Sequence, residues 1–195
     1  MTQVSLLRMV SKLATAPTLV SFPTDTVPAL AALPKHAGLI YAAKQRPPEK
    51  PLILMGARLA DLLPYVSGSD AELAVWQSIT KQYWPGQLTL VLPASDRTPK
   101  SLNPSATGTI GIRVPNHPIA LDLLSLTGPL ATTSANLSGQ LPLTSPADIA
   151  RTFPTVLMLP AEDFESDAPF SGTPSTVVKW TGQGWQVLRQ GEIKL

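Results

Sequence analysis

The sequence contains no cysteine and only two histidines, His36 and His117. Without thiols the chain cannot form disulfide bonds, cysteine nucleophiles or cysteine-ligated zinc sites. Two histidines are too few for a three-histidine zinc site. We therefore expect no metal site built from protein side chains. The absence of cysteine also fits a reducing compartment.

Charged residues make up 14% of the chain, and the formal net charge is only +2. A charge this small does not by itself indicate a nucleic-acid-binding protein. No stretch approaches the roughly twenty apolar residues of a membrane span. Residues 1–16 alternate apolar and polar side chains, which differs from the continuous apolar core of a signal peptide. The sequence thus predicts a soluble, cytoplasmic protein with no membrane contact.

Common nucleotide-binding and hydrolase motifs are missing. The chain has no Gly-x-x-x-x-Gly-Lys-Ser/Thr loop and no Gly-x-Gly-x-x-Gly sequence after a strand. It also has no Gly-x-Ser-x-Gly nucleophile motif. A phosphate-binding site in this protein would have to use other residues.

The hydrophobic periodicity predicts one α/β domain spanning residues 1–195, with an open, mixed sheet and flanking helices. We expect the late strands, which have no predicted helix between them, to form the sheet edges. A Ser69–Glu72 capping box predicts the start of one helix. The predicted helices cover 3–16, 34–44, 58–63, 70–83 and 116–126, with another starting at 145. The predicted strands cover 18–22, 52–55, 88–92, 109–114, 130–133, 156–159, 175–180 and 185–189, and 93–107 is predicted to be a long loop.

Several polar segments adjoin the predicted strands, and one of them carries three cations. Lys44 and Arg46 are two residues apart, so they would point to the same side of an extended segment. Lys50 could join them if the intervening prolines turn the loop, and together they would form a cationic clamp. Each such segment also has a structural interpretation as a solvated surface, a turn or a helix cap. Their joint occurrence at strand ends favours a ligand site.

These segments resemble, in their order, motifs of the YrdC-like domain family, the threonylcarbamoyl-AMP synthases. The resemblance extends from Val20 to about Gly191. Because the chain ends soon after the last motif, it resembles the single-domain form of the family. The matching segments are Pro23-Thr-Asp-Thr-Val27, Lys44-Gln-Arg-Pro47, Lys50-Pro-Leu52, Trp84-Pro-Gly-Gln-Leu-Thr-Leu90, Gly111-Ile-Arg-Val-Pro115, Ser134-Ala-Asn-Leu-Ser-Gly139, Pro174-Ser-Thr-Val-Val178 and Arg189-Gln-Gly191.

The resemblance implies an enzyme that makes threonylcarbamoyl-AMP and pyrophosphate from L-threonine, bicarbonate and ATP. Partner proteins would then use the product to form threonylcarbamoyladenosine in tRNA. It also implies a twisted YrdC-like sheet with a concave basic face, and Mg²⁺ held mainly by the ATP phosphates. The implied catalytic residues are Lys44 and Arg46. The implied ATP-binding residues are Arg46, Lys50, Thr109, Asn136, Thr144 and Arg189, and the implied threonine-binding residues are Thr24, Thr26, Pro28, Met55, Arg113, Ser134 and Ser175.

Two positions in the implied threonine pocket depart from the family pattern. Pro28 stands where the family usually has tyrosine, and Met55 stands where many members have histidine. Neither side chain can donate a hydrogen bond, so we expect a weaker preference for threonine over valine or 2-aminobutyrate unless Thr24 or Thr26 replaces the donor. Two alternative functions stay open. One is a non-catalytic RNA-binding protein using the basic face, and the other is a divergent enzyme that adenylates another carbamate or amino acid.

Overall fold

The computed structural model describes residues 3–164 and 171–195. In this part of the chain, seven α-helices flank nine strands. The helices are α1 (Leu6–Thr15), α2 (Gly38–Lys44), α3 (Leu59–Leu62), α4 (Asp70–Tyr83), α5 (Pro118–Thr127), α6 (Pro146–Thr152) and α7 (Ala161–Phe164). The strands are β1 (Val20–Phe22), β2 (Ala29–Ala32), β3 (Ile53–Met55), β4 (Leu88–Pro93), β5 (Thr109–Arg113), β6 (Leu130–Ser134), β7 (Leu157–Met158), β8 (Thr176–Trp180) and β9 (Trp185–Arg189).

The nine strands form one sheet in the order β7-β1-β2-β6-β3-β5-β4-β8-β9. The pairs β1–β7, β3–β5 and β4–β8 are parallel, and the other five pairs are antiparallel. The predicted open, mixed α/β sheet is therefore confirmed. The late strands β7 and β9 form its two edges, as expected.

Hydrophobic cores cover both faces of the sheet. Successive residues of β2 contribute to different cores, since Leu30 packs in one and Ala31 in the other. The first core includes Ile40 of α2 and Trp76 of α4. The second includes Met9 of α1 together with residues of α5. None of the helices in the described part of the chain combines the length and the apolar character required to cross a bilayer.

The boundaries of most predicted elements agree with the structure, but three predictions differ. The central strand β2 was not predicted, because its sequence Ala-Leu-Ala-Ala shows no alternation and contains weak strand formers. The predicted helix over 34–44 is divided into a 3₁₀ turn at 34–36 and α2, which begins at Gly38. The short helix α7 lies between β7 and β8, so of the three late strands only β8 and β9 follow each other without a helix.

The predicted capping box at the start of α4 is confirmed. The Ser69 hydroxyl accepts a hydrogen bond from the backbone N–H of Glu72, and the Glu72 carboxylate accepts one from the backbone N–H of Ser69. These reciprocal bonds satisfy donors that the first turn of a helix leaves free. The helix therefore begins where the sequence indicates.

Candidate active site

A cavity of about 140 Å³ opens across the central strands of the sheet. It is lined by residues of β2, β3, β5, β6 and β9 and of the loops that precede β2, β3 and β8. Its walls combine cationic, hydroxyl and apolar side chains. The cationic residues are Arg46, Arg113 and Arg189, the hydroxyl residues are Thr26, Thr132, Thr133, Ser134 and Ser175, and the apolar residues are Val27, Ala29, Pro51, Ile53, Met55 and Pro174.

Seven of the residues predicted from the sequence line this cavity, and seven do not. Those in its walls are Arg46, Arg113, Arg189, Thr26, Met55, Ser134 and Ser175. Thr24, Pro28, Lys44 and Asn136 are buried outside its lining, whereas Lys50 and Thr144 are exposed and Thr109 lies at the start of β5. The fold therefore brings together half of the predicted set, drawn from widely separated parts of the chain.

Arg113 is held firmly at the end of β5, where only 3% of the residue is exposed. Its Nε donates to the carbonyl oxygen of Gly86 at 3.0 Å, and its Nη1 donates to Oγ1 of Thr26 at 2.9 Å. Its Nη2 donates to Oδ1 of Asp25 at 2.7 Å. Because a guanidinium has five N–H donors, two are left for a ligand in the cavity.

The electrostatic environment of Arg113 is set by burial and by Asp25. Burial lowers the pKa of Arg113, while the negative charge of Asp25 and its hydrogen bond act in the opposite direction. The Asp25 Oδ2 atom is also buried and has no hydrogen-bond partner among the described residues. Since arginine remains charged at physiological pH, the pair keeps a fixed cation at the cavity wall.

Arg189 approaches the same cavity from β9. Its Nε and Nη2 donate to the carbonyl oxygen of Ser175 at 3.0 and 2.8 Å, and Nη2 also contacts the Ser175 hydroxyl at 3.1 Å. That hydroxyl is 2.8 Å from Oγ1 of Thr89. Burial lowers the pKa of Arg189, and the positive charge of Arg113 lowers it further. An anion bound between these two arginines would relieve their repulsion.

Arg46 is the third cation in the cavity wall. Its Nε donates to the carbonyl oxygen of Lys50 at 2.8 Å, and its Nη2 donates to that of Pro51 at 2.9 Å. These bonds tie the side chain to the loop before β3 and leave three of its N–H donors for other partners. Burial lowers the pKa of Arg46, which keeps its charge under physiological conditions.

Lys44, the last residue of α2, is buried beside the β6 end of the cavity. Its Nζ donates to the carbonyl oxygen of Ser134 and to Oδ1 of Asn136, which is 3.3 Å away. The Ser134 hydroxyl donates to the same Asn136 oxygen at 2.5 Å. Burial lowers the pKa of Lys44 to about 7, and the nearby charge of Arg46 contributes to the shift. Near neutral pH, this amine is therefore divided between its charged and neutral forms.

The predicted clamp of Lys44, Arg46 and Lys50 is wrong in its geometry. Lys44 belongs to a helix, and Gln45 takes a left-handed conformation with φ 49°, so the segment is not extended. The loop does turn at the prolines, where the backbone N–H of Lys50 donates to the carbonyl oxygen of Pro47 at 3.1 Å. The exposed Lys50 nevertheless does not line the cavity. Of the three, only Arg46 contributes to the wall.

Sequence reasoning missed several residues of the site. Asp25 and Gly86, which hold Arg113, lie inside the segments that carried the resemblance but received no role. Ile53 and Thr132 also line the cavity, and they face each other as partners in the β3–β6 pair. Their strands are buried runs, and nothing in such a run separates a cavity wall from a core position.

The donor set of the described residues does not suit a protein-held metal ion. No group of three or more His, Asp or Glu side chains comes together in residues 3–164 and 171–195. The carboxylate of Asp25 forms an ion pair with Arg113, which lines the cavity. The cavity itself presents cations and hydroxyl groups, which suit anions.

A family model described as Telomere recombination, named Sua5_yciO_yrdC, matches residues 13–191. The chain belongs to the Sua5/YciO/YrdC family. It is 42% identical over 128 residues to a threonylcarbamoyl-AMP synthase of Bacillus subtilis (strain 168), covering 62% of this chain and 35% of that protein. It is 36% identical over 183 residues to the Pyrococcus abyssi (strain GE5 / Orsay) protein of the same name, covering 91% of this chain and 51% of that protein.

The fold of this family member also matches a solved structure. A crystal structure of Pyrococcus abyssi Sua5 complexed with L-threonine aligns with a TM-score of 0.81 and 30% identity, covering 97% of this chain and 55% of that one. The chain thus spans about half of the Pyrococcus relative and about a third of the Bacillus one. The resemblance to the YrdC-like family that the sequence motifs indicated is confirmed.

Proposed function

We propose that this protein is a threonylcarbamoyl-AMP synthase that consumes L-threonine, bicarbonate and ATP and releases pyrophosphate. The observation that carries the proposal is the convergence of Arg46, Arg113 and Arg189 with hydroxyl side chains on one cavity. Support also comes from the relatives of that name and from the threonine complex of a similar fold.

The chemistry of this reaction suits a cavity rich in arginine. Bicarbonate and the amine of threonine combine with loss of water to give a carbamate. A carbamate oxygen then attacks the α-phosphorus of ATP, and the bond to the leaving pyrophosphate breaks. Both partners are anions, so the protein contributes mainly by neutralising charge and fixing positions.

We assign Arg46 and Arg189 to the ATP side of the cavity. Both guanidinium groups are anchored by backbone carbonyl oxygens and retain free N–H donors for phosphate. Lys44 would support them from behind the wall, through its contacts with Ser134 and Asn136. Roles for Lys50, Thr109 and Thr144 stay predictions from the family resemblance.

We assign Arg113 to the threonine side, where its two remaining donors can bind the amino-acid carboxylate. Ser175, which the family resemblance also implies for threonine, has a hydroxyl that contacts both Thr89 and Arg189. Ser134, the last residue of β6, provides a second hydroxyl group. The carbamate would form between the two arginine clusters.

Magnesium would enter with the nucleotide. ATP carries its Mg²⁺ on phosphate oxygens and water, which matches a cavity without a carboxylate cluster. The product adenylate would pass to partner proteins that modify tRNA. The single-domain organisation of residues 1–195 and direct RNA contact remain predictions.

The test incubates the pure protein with ATP, Mg²⁺, bicarbonate and L-threonine, and measures pyrophosphate together with the carbamoyl adenylate by mass spectrometry. Omitting threonine or bicarbonate should abolish both products. Arg46→Ala should lose them, while Arg151→Ala, an exposed arginine paired with Asp148 on α6, should keep them. Pyrophosphate release that does not depend on threonine would contradict the proposal and support adenylation of another acid.

A further inference from the structure

A chain of hydrogen bonds runs from Arg113 into the loop that follows β1. Oγ1 of Thr26 accepts from Nη1 of Arg113 at 2.9 Å and lies 3.1 Å from Oγ1 of Thr24. Oγ1 of Thr24 in turn donates to the carbonyl oxygen of Val27 at 2.7 Å. Each threonine is only 1% exposed. This chain is buried apart from the face of Thr26 that lines the cavity.

The groups in this series of hydrogen bonds determine which atom donates and which accepts in each bond. A carbonyl oxygen can only accept, so the single hydroxyl proton of Thr24 is committed to Val27. The contact between the two hydroxyl groups must then use the proton of Thr26. Thr24 also accepts from the backbone N–H of Thr26 at 3.2 Å, which fills its remaining acceptor capacity.

This direction determines what Thr26 can offer to a ligand. Its proton points away from the cavity toward Thr24, and one of its two lone pairs is occupied by Arg113. One lone pair remains, so toward the cavity Thr26 acts as an acceptor. The atom is adjacent to the donors of Arg113 that are left for a carboxylate. In threonine, the hydroxyl and carboxylate groups are likewise neighbours.

We propose that Thr24 is a positioning residue that makes the site selective for a hydroxyl-bearing amino acid, by fixing the Thr26 hydroxyl as an acceptor. This inference rests on the proposed function. The side chains of Pro28 and Met55 cannot donate or accept a strong hydrogen bond. Of the five hydroxyl side chains in the cavity wall, we assign recognition of the substrate hydroxyl to Thr26, because its oxygen lies beside the donors of Arg113 that are left for the carboxylate. A ligand without that donor would leave the second lone pair of the buried Thr26 oxygen unfilled, which reduces the affinity of the ligand.

The experiment measures binding of L-threonine and of its 3-fluoro analogue by calorimetry. The fluorine is similar in size to the hydroxyl but cannot donate. The wild-type protein should prefer threonine by about tenfold or more. In Thr24→Val, the Thr26 proton loses its acceptor and can turn toward the ligand. The ratio of the affinities for threonine and for its 3-fluoro analogue should then fall toward one. Thr24→Ser keeps the oxygen and should restore it.

A buried threonine elsewhere provides the matched control. Thr80 on α4 is 4% exposed and donates to the carbonyl oxygen of Gln77. Thr80→Val should reproduce any general loss of stability and leave the preference unchanged. ATP affinity should stay within about twofold in all variants, since Thr24 acts on the amino-acid side. If Thr24→Val does not fold, Thr24→Ala makes the same test.

The outcomes separate this inference from the proposed function. A wild-type protein that binds no threonine overturns both. A protein that binds threonine and forms the adenylate, yet has the same preference in wild type and in the Thr24 variants, overturns only the role of Thr24. Equal affinity of the wild type for the two ligands also overturns it.

Discussion

The carboxylate of Asp25 and the guanidinium of Arg113 form a 2.7 Å ion pair in which the side chains are 5% and 3% exposed. The two residues come from distant segments, the loop after β1 and the end of β5. Breaking a buried pair by removing one partner leaves an uncompensated charge in a low-dielectric environment. The pair therefore links the stability of the fold to the position of the cation that we assign to the substrate carboxylate.

Asp25→Ala should lower the free energy of unfolding by about 3–5 kcal/mol, because Arg113 would stay buried without its counter-ion. Urea titration measures the change. The control is Asp148→Ala, which removes the exposed ion pair with Arg151 on α6 and should cost less than about 1 kcal/mol. A similar small loss for both variants would show that the buried pair is not needed for stability.

Arg113→Lys should weaken threonine binding more than ATP binding. Lysine keeps the positive charge but cannot contact Asp25, Gly86 and a carboxylate at once with a planar group. We expect a loss of tenfold or more for threonine and less than threefold for ATP, measured by separate calorimetric titrations. Equal losses would place Arg113 on the nucleotide side.

Arg46 and Lys50 make a matched pair for testing the phosphate site. Both were predicted to bind ATP, but only Arg46 lines the cavity, whereas Lys50 is exposed. Arg46→Ala should reduce turnover by about a hundredfold or more, on the scale of losing one transition-state donor. Lys50→Ala should reduce turnover by a smaller factor, because the exposed Lys50 does not line the cavity. Both proteins should unfold near the wild-type temperature, and the opposite ranking would restore Lys50 to the site.

The sequence predicted the α/β class and most elements because periodicity and capping signals are local. The Ser69–Glu72 capping box and the short apolar runs that form the strands both depend on residues that are close together along the chain. Strand β2 could not be predicted in this way. Its alanine-rich sequence becomes a strand because β1 and β6 pair with it on both sides, which is a tertiary effect.

The site residues that could be predicted from the sequence are those with functional groups that a packed core does not need. Arg113 and Arg189 are the last residues of β5 and β9, and the resemblance to the family motifs assigned both of them to the site. The roles of Lys44 and Lys50 were harder to predict, because a helix end and a left-handed residue redirect their side chains. The position of Ile53 in the cavity wall could not be predicted, because a short apolar strand such as β3 is equally typical of the hydrophobic core. Contacts between distant segments, such as Asp25 with Arg113, require the fold itself.

Gly86 is required for a close backbone approach. A Cβ atom at this position would lie 2.4 Å from the carbonyl oxygen of Tyr83, while the Gly86 carbonyl accepts from Arg113. Gly86→Ala should lower the free energy of unfolding by about 1–3 kcal/mol and weaken threonine binding, because the backbone must shift. Gly184→Ala, with open space around its Cβ position, is the control and should change neither property in thermal unfolding and calorimetry.

The last prediction concerns the buried amine of Lys44. Its pKa is about 7 in the folded protein, compared with 10.5 for the unperturbed side chain. Between these values the unfolded chain binds a proton that the native protein does not, so the Lys44 contribution to stability increases with pH. The slope is at most about 1.4 kcal/mol per pH unit, and below pH 7 both states are protonated and the slope disappears.

Phosphate charge near Arg46 should raise the pKa of Lys44, because a neighbouring anion favours the ammonium form. ATP binding at pH 7.5 should then take up a fraction of a proton, which calorimetry in two buffers of different ionisation enthalpy can measure. Lys44→Met should abolish both this uptake and the rise in unfolding free energy above pH 7, whereas Lys100→Met, at an exposed lysine, should preserve both. Unchanged proton uptake in Lys44→Met would show that the amine is not coupled to the nucleotide, and Lys44 would then serve only to join α2 to the loop after β6.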